Sequence, residues 1–345
     1  MEFGIKLPNS GPFARPEGIR FVAEKAEAYG FDSVWAHDHV HRSVADAEHH
    51  FAMGSWEAWD RPIVPNVYEP LSTLSFIAGF TTRVKLGTSA VVMSLRNPTW
   101  LAKMTATLDQ LSNGRMILGL VTGGPYLGRE LGAIGRLELL GKRGRIAEQW
   151  LDILRGIWTV GEYSYTGDLI QVTDAIVFPK PRQTLPQVLL GGFSDATLDR
   201  ITRKADGWLP VFAAPDAIRR GRQLLNDGAT KHAREPRELQ IVSEHWLALD
   251  SDAQRAIARA EATTGRLSSY ITSHPAATAN HRERLAGREK EYTLAGTPAL
   301  VAEQIRAYQD AGADSLILRI IGGGFSEIEE TMHKFRDEVR PQLRA

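Results

Sequence analysis

Apolar strands alternate with amphipathic helices from one end of this 345-residue chain to the other, and that alternation leaves few architectures open. Phe3-Gly4-Ile5-Lys6-Leu7 reads as a short strand, and Pro16 opens a helix that runs to Tyr29, with Gly30 as its stop. Asp32–Ala36 is the next strand, Pro70 starts another helix, and Val84 begins the third strand. Asn97 is an N-cap followed by proline at the first helical position, and Leu101, Met104, Leu108 and Leu111 then share one helical face. Met116–Val121 is the fourth strand, and Ile146, Trp150, Ile153 and Ile157 form the apolar stripe of a long helix. Val188–Leu190, Gly207–Val211, Leu239–Leu249 and Ser315–Ile320 bring the strands to eight. Helices begin at the Ser194 cap and at Pro215, and a last one spans about 326–339. Strict alternation indicates a parallel sheet. The expected fold is α/β, a TIM (β/α)8 barrel forming a single domain over 1–345.

A weak internal repeat supports closure. Tyr29-Gly30-Phe31-Asp32-Ser33-Val34-Trp35 resembles Ala311-Gly312-Ala313-Asp314-Ser315-Leu316-Ile317, and Ala205-Asp206-Gly207-Trp208 is a looser third copy. Each is a helix end, a tight turn and an Asp before a buried strand. Three segments break the pattern and read as insertions after strands 2, 4 and 7, at about 40–68, 161–187 and 265–296. The second contains Tyr163-Ser164-Tyr165-Thr166 and Ile170 to Phe178 around a turn, the pattern of a hairpin. In a barrel the loops after the strands surround the active site.

Composition excludes several functions. Lys+Arg and Asp+Glu both number 41, which gives neither a nucleic-acid footprint nor a polybasic membrane anchor. The chain has no cysteine, so disulfides, thiolate metal sites and a cysteine nucleophile are excluded. Strand-like sequence begins at Phe3 and no apolar run is long enough to span a bilayer, so a cytoplasmic location is expected.

Chemistry-bearing residues gather at expected strand ends. Gly191-Gly192-Phe193-Ser194 lies between a strand and a helix start, where glycines and a helix N-terminus suit a phosphate; the same residues also suit a plain turn and N-cap. His37-Asp38-His39-Val40-His41 follows strand two. It reads as an acid–base cluster with His39 as the catalytic candidate, oriented by Asp38. A metal site would need further ligands, and His245, His274, His281 and His333 are badly placed to supply them. Thr88-Ser89-Ala90 is either a small-residue strand end or a bulge supporting a ring, and Thr122-Gly123-Gly124 either a turn or a neighbouring wall. Arg129 and Glu130 follow in a loop, either as contacts to polar ligand atoms or, the favoured reading, as surface charges.

Taken together, these residues resemble the luciferase-like monooxygenase superfamily, whose members use FMN or the 5-deazaflavin coenzyme F-420. The likeness rests on Gly30–Trp35 with Asp38-His39, Leu86-Gly87-Thr88, Arg96-Asn97-Pro98 and Leu108–Arg115, and on Phe178-Pro179-Lys180-Pro181, Gly191-Gly192 and Asp206-Gly207-Trp208. It implies a barrel with a non-prolyl cis peptide near Ser89-Ala90 behind the cofactor ring. Thr88, Ser89, Ala90, Thr122 and Gly123 would contact the cofactor. Gly191, Gly192 and Ser194 would bind its phosphate, Phe193 would also contact the cofactor, and His39 with Asp38 would carry the catalysis. The Asp38-His39 pair and the Pro8–Phe13 start are similar to deazaflavin-dependent members. The leading expectation is therefore hydride transfer between reduced coenzyme F-420 and a small organic substrate. FMN-dependent oxygenation through a peroxyflavin, served by a flavin reductase, is the alternative. A non-catalytic flavin-binding protein and a metal hydrolase rank below both. No resident metal, nucleic acid or membrane partner is expected, and the expected assembly is a homodimer or higher homo-oligomer. After strand four this chain reads Gly124-Pro125-Tyr126-Leu127-Gly128-Arg129-Glu130-Leu131, a departure from the family pattern. Trp56, Trp59 and Tyr68 in the first insertion could wall a pocket or pack the insertion down.

Overall fold

Eight parallel strands close on one another in the computed structural model, which describes residues 1–11, 13–40, 66–124, 127–273 and 279–343. They are β1 (Glu2–Lys6), β2 (Ser33–Ala36), β3 (Lys85–Thr88), β5 (Met116–Val121), β8 (Gln187–Leu190), β9 (Gly207–Trp208), β10 (Gln240–Leu249) and β12 (Ser315–Ile320). Each pairs with the next, β9 pairs with β10, β10 with β12, and β12 with β1. Two short strands add to the barrel wall: β4 (Val91–Val92) alongside β5, and β11 (Thr293–Gly296) alongside β10. The remaining pair, β6 (Tyr163–Thr166) and β7 (Gln171–Ala175), is an antiparallel hairpin. Among the described residues no helix is long and apolar enough to cross a membrane.

The two largest buried clusters lie on opposite faces of the sheet. Inside the barrel, Trp35, Ile117, Leu189, Leu209, Val242 and Ile317 form one cluster. Outside it, a larger cluster joins the strands to the helices and includes Ile146, Trp150, Ile153 and Ile157. The Trp35 indole fills the barrel because Gly87 faces it without a side chain. A Cβ at Gly87 would lie 2.3 Å from Trp35 Cε3. Trp35 Nε1 donates to Ser33 Oγ at 2.7 Å, so the buried indole leaves no donor unpaired.

The repeated Asp has one job in all three copies. Asp32 Oδ2 accepts from the Phe3 amide at 2.8 Å, Asp206 Oδ2 from Val188 at 2.8 Å, and Asp314 Oδ2 from Ile241 at 2.7 Å. Each carboxylate also binds an arginine: Arg340, Arg155 and Arg222 respectively. The Asp preceding one strand thus satisfies an early amide of its neighbour, at the end of the barrel where the strands begin.

Several local expectations are met. Asn97 caps the helix Pro98–Leu111 by accepting from the amides of Thr99 and Trp100, and Ser194 accepts from Thr197 to cap Asp195–Lys204. Others are corrected. Leu111 is 63% exposed rather than on the buried face, because it sits at the last turn where the helix leaves the sheet. The strand expected over 207–211 pairs fully only at Gly207–Trp208, with a single bridge from Val211 to Glu244. The last helix ends at Lys334 and continues as a π turn, Phe335–Val339. The region 265–296 is mostly regular: the helix Ala253–Ser273 runs into it, and the helix Ala279–Leu285 and β11 follow. His41, Trp56, Trp59 and His274 lie outside the described residues.

Candidate active site

Strand order places the carboxyl ends of β2, β3, β5 and β8 side by side, and the candidate residues follow them. Thr88 closes β3 and is fully buried, its hydroxyl donating to the Gly119 carbonyl at 2.7 Å. The next peptide, Ser89-Ala90, is cis. Ala90 is half-buried and packs on the cluster inside the barrel. Thr122 and Gly123, after β5, are half-buried beside it in the strand order. Gly192 adopts φ +130°, a conformation open to glycine, and its carbonyl accepts from Trp208 Nε1 at 2.6 Å. Phe193 meets Trp208 edge-on, and the Arg284 guanidinium lies 3.8 Å from the centre of its ring. A cavity of about 310 Å³ opens there, bordered by Phe193, Trp208 and Arg284.

His39 is a half-buried imidazole after β2, and its partner is not Asp38. Its Nδ1 lies 3.0 Å from Glu130 Oε1, which also accepts from the Val40 amide at 3.1 Å. With a carboxylate accepting at Nδ1, the neutral form of the imidazole carries its proton there and presents Nε2 as the acceptor (a tautomer assigned from the partner). Glu130, expected on the surface, is buried, with a side chain 3% exposed. Asp38 is buried and faces elsewhere. It accepts from the Val92 amide at 2.9 Å and forms a two-pronged pair with Arg96, which also holds Glu69 at 2.7 Å. Burial works to lower Arg96, but Asp38 and Glu69 outweigh it and raise its pKa. Asp38 therefore fixes the loop after β2 to the loop after β4, and Glu130 orients the histidine.

Below Ser89 is a buried ionic network that lies outside the residues expected at the site. Lys6 Nζ donates to the Ser89 carbonyl at 2.7 Å, to Ser89 Oγ at 3.0 Å and to Glu244 Oε2 at 2.7 Å. Glu244 also binds the Ser89 hydroxyl and, through Oε1, Arg319 at 2.8 Å. Burial lowers Lys6 to about 8 despite Glu244. Burial pushes the Glu244 carboxyl up, but Lys6 and Arg319 prevail and hold it at about 2. The signal was present in the sequence: Lys6, Glu244 and Arg319 are charges inside otherwise apolar strands of a parallel sheet, where both faces are covered. Glu130 offered no comparable sign.

Among the described residues the histidines are dispersed. His245 is buried on the outer face of β10, His333 lies near Asp337 at 3.2 Å on the last helix, and His37 meets His39 edge-on at 6.0 Å between rings. Among the described residues no group of three or more His, Cys, Asp or Glu could hold a metal ion.

The chain matches the family described as luciferase-like monooxygenase over residues 1–315, and it belongs to that family. Among its relatives, an F420-dependent glucose-6-phosphate dehydrogenase of Amycolatopsis mediterranei is 26% identical over 341 residues, covering 96% of this chain and 95% of the relative. An FMNH(2)-dependent dimethylsulfone monooxygenase of Pseudomonas putida is 26% identical over 299 residues, covering 81% and 79%. Among solved structures, an F420-dependent secondary alcohol dehydrogenase in complex with an F420-acetone adduct superposes with a TM-score of 0.79 at 18% identity, covering 100% of this chain and 99% of that one. That last likeness concerns the fold.

Proposed function

We propose that this protein is an oxidoreductase that moves hydride between coenzyme F-420 and a small organic substrate at the carboxyl end of its barrel. One observation carries the reading: His39, held by the buried Glu130, stands at the same mouth as the small-residue wall of Ala90, Thr122 and Gly123. The residues present fit a flat ring with a phosphate tail. Ala90 and Thr122 present small side chains to a ring, and Leu127 packs against Gly123 from behind. Gly191 and Gly192 lead into the N-terminus of Asp195–Lys204, where Ser194 caps the Thr197 amide and the amides ahead of it begin the helix. When bound, such a cofactor supplies hydride chemistry, and the protein supplies binding and orientation.

The chain's own residues then have defined tasks. Thr88 and Ser89 fix the wall by bonding Gly119 and Glu244. Ser194, Phe193 and the glycines seat the phosphate end. His39 offers Nε2 to a substrate hydroxyl as general base, or returns the proton to a carbonyl oxygen in the reverse direction. Glu130 is a positioning residue that stabilises the imidazolium formed on the way. FMN-dependent oxygenation, with a reductase as partner, is the second reading, because the monooxygenase relative is as similar in identity as the dehydrogenase. The proposal includes a single catalytic domain in the cytoplasm. It also includes a homo-oligomer, which would cover the exposed Trp100, Ile176 and Phe178.

The test is anaerobic. Reduced coenzyme F-420 and the protein are mixed with a panel of ketones and aldehydes, and the oxidised chromophore is followed at about 420 nm. Recovery of the band without oxygen is expected for at least one carbonyl. Turnover that occurs only with reduced FMN and oxygen would replace hydride transfer with oxygenation.

A further inference from the structure

The candidate cofactor residues use only one arc of the mouth, the ends of β3, β5 and β8. The opposite arc, β9, β10 and β12, carries Phe212, Trp246 and Arg319. Arg319 and Trp246 are register partners across β10 and β12, and the guanidinium lies 4.8 Å from the centre of the indole. On the same arc Phe212 stacks parallel to Trp246, with 5.9 Å between rings. Two nitrogens of Arg319 reach Glu244: Nε at 3.1 Å and Nη2 at 2.8 Å. The third, Nη1, has no partner among the described residues, and the side chain is 25% exposed.

Charge does not balance at this point. Lys6 and Arg319 are two cations sharing one carboxylate, Glu244, which is itself 1% exposed. Ser89 and Trp246, the other groups in contact, are neutral. A buried network with one uncompensated positive charge and a partly open guanidinium edge is poised for a negatively charged oxygen.

We propose that Lys6, Glu244 and Arg319 form an anion-recognition element of the active site, in which Arg319 presents Nη1 to a negatively charged oxygen of the ligand. Lys6 and Glu244 act by holding Arg319 and its charge in place. The proposal rests on the mouth being the redox site. Two sources supply the same chemistry. Hydride addition to a neutral isoalloxazine leaves one negative charge on its pyrimidine ring, and a substrate can carry a carboxylate of its own.

The experiment compares wild type, Arg319→Gln and Arg319→Lys in two arms. In the first, the dissociation constants of oxidised and reduced FMN are measured anaerobically, with coenzyme F-420 in parallel. The phosphate is common to both states, so their ratio reports on the ring. In the second, benzoate binding to cofactor-free protein is followed by tryptophan fluorescence, Trp246 being the reporter against Arg319. Wild type is expected to prefer the reduced ring at least tenfold or to bind benzoate in the low-millimolar range. If the ring is the source, Arg319→Gln lowers the preference about tenfold, equivalent to about 30 mV for a two-electron couple. If the substrate is the source, benzoate binding falls about tenfold and the ratio stays. Arg319→Lys retains most of the effect in either case. The proposal is overturned if wild type shows neither property, if Arg319→Gln changes both by less than twofold, or if Arg319→Lys behaves as Arg319→Gln. Should neither cofactor bind, the functional reading fails, and the benzoate arm still decides this one.

Discussion

The pairing of His39 with Glu130 rather than with its sequence neighbour decides what individual residues should do. Replacing His39 by Ala is expected to leave cofactor affinity within a few-fold and to cut single-turnover hydride transfer about a hundredfold or more. Unchanged transfer would remove His39 from the chemistry. Glu130→Gln replaces a pure acceptor with a group that can also donate, so the imidazole can settle in the wrong tautomer. A loss of about tenfold or more in transfer rate is expected at unchanged cofactor affinity. Asp38→Asn should act differently, loosening Arg96 and the loops it joins. A second histidine acts on stability. His245 is fully buried beneath Tyr308, and burial holds its pKa near 4 instead of 6.5. Below pH 6.5 the unfolded chain takes up a proton that the folded protein refuses, so stability falls from about pH 6.5 towards pH 4. The full effect is about 3 kcal/mol. His245→Asn should flatten the dependence of urea midpoint on pH across that window, and parallel slopes would contradict the assignment. At this scale the sequence was legible where spacing carries the information. His39, Ser89-Ala90 and Gly191-Gly192 could be placed at strand ends by periodicity. Glu130 could not, because it lies 91 residues from His39 and its burial depends on how the short helix Leu127–Ala133 docks.

Elements obey two packing rules that the alternation of strands and helices only implies. Inside the barrel, large and absent side chains face one another, as with Trp35 and Gly87. Gly87→Ala inserts a methyl group within 2.3 Å of the indole and is expected to cost about 1–3 kcal/mol in denaturant unfolding. No loss would mean that Trp35 is free to move. At the far end of the barrel, the three Asp residues before β2, β9 and β12 each tie one strand to the next. Asp314→Ala leaves the Ile241 amide without its acceptor and Arg222 without its carboxylate. A loss of about 1–3 kcal/mol with cofactor affinity unchanged is expected, because the change lies away from the mouth. A drop in affinity of tenfold or more would show that the two ends are coupled. The repeat was readable as a pattern, but its hydrogen bonds depend on which strands become neighbours. Helix ends with Asn97-Pro98 and Ser194 were readable outright, since capping is local chemistry. Leu111 was not, because a helical face says nothing about where the helix leaves the sheet.

For the whole molecule, closure of eight strands is what brings β2, β3, β5 and β8 to one side of the mouth and β9, β10 and β12 to the other. The two arcs differ in character: small residues, glycines and a helix N-terminus on the first, and Phe212, Trp246 and the Arg319 cation on the second. The fold class could be read from alternation and length, because no other common architecture uses so many strand–helix units in succession. The ionic network could not, because Lys6, Ser89, Glu244 and Arg319 meet only when the barrel closes. The central claim is that the mouth holds a flavin-type cofactor, and the most direct measurement is titration of the cofactor-free protein with coenzyme F-420 and with FMN. Binding of coenzyme F-420 below about 100 μM, roughly −5.5 kcal/mol, and more tightly than FMN, is the predicted result. Binding of neither cofactor at that level would contradict the account.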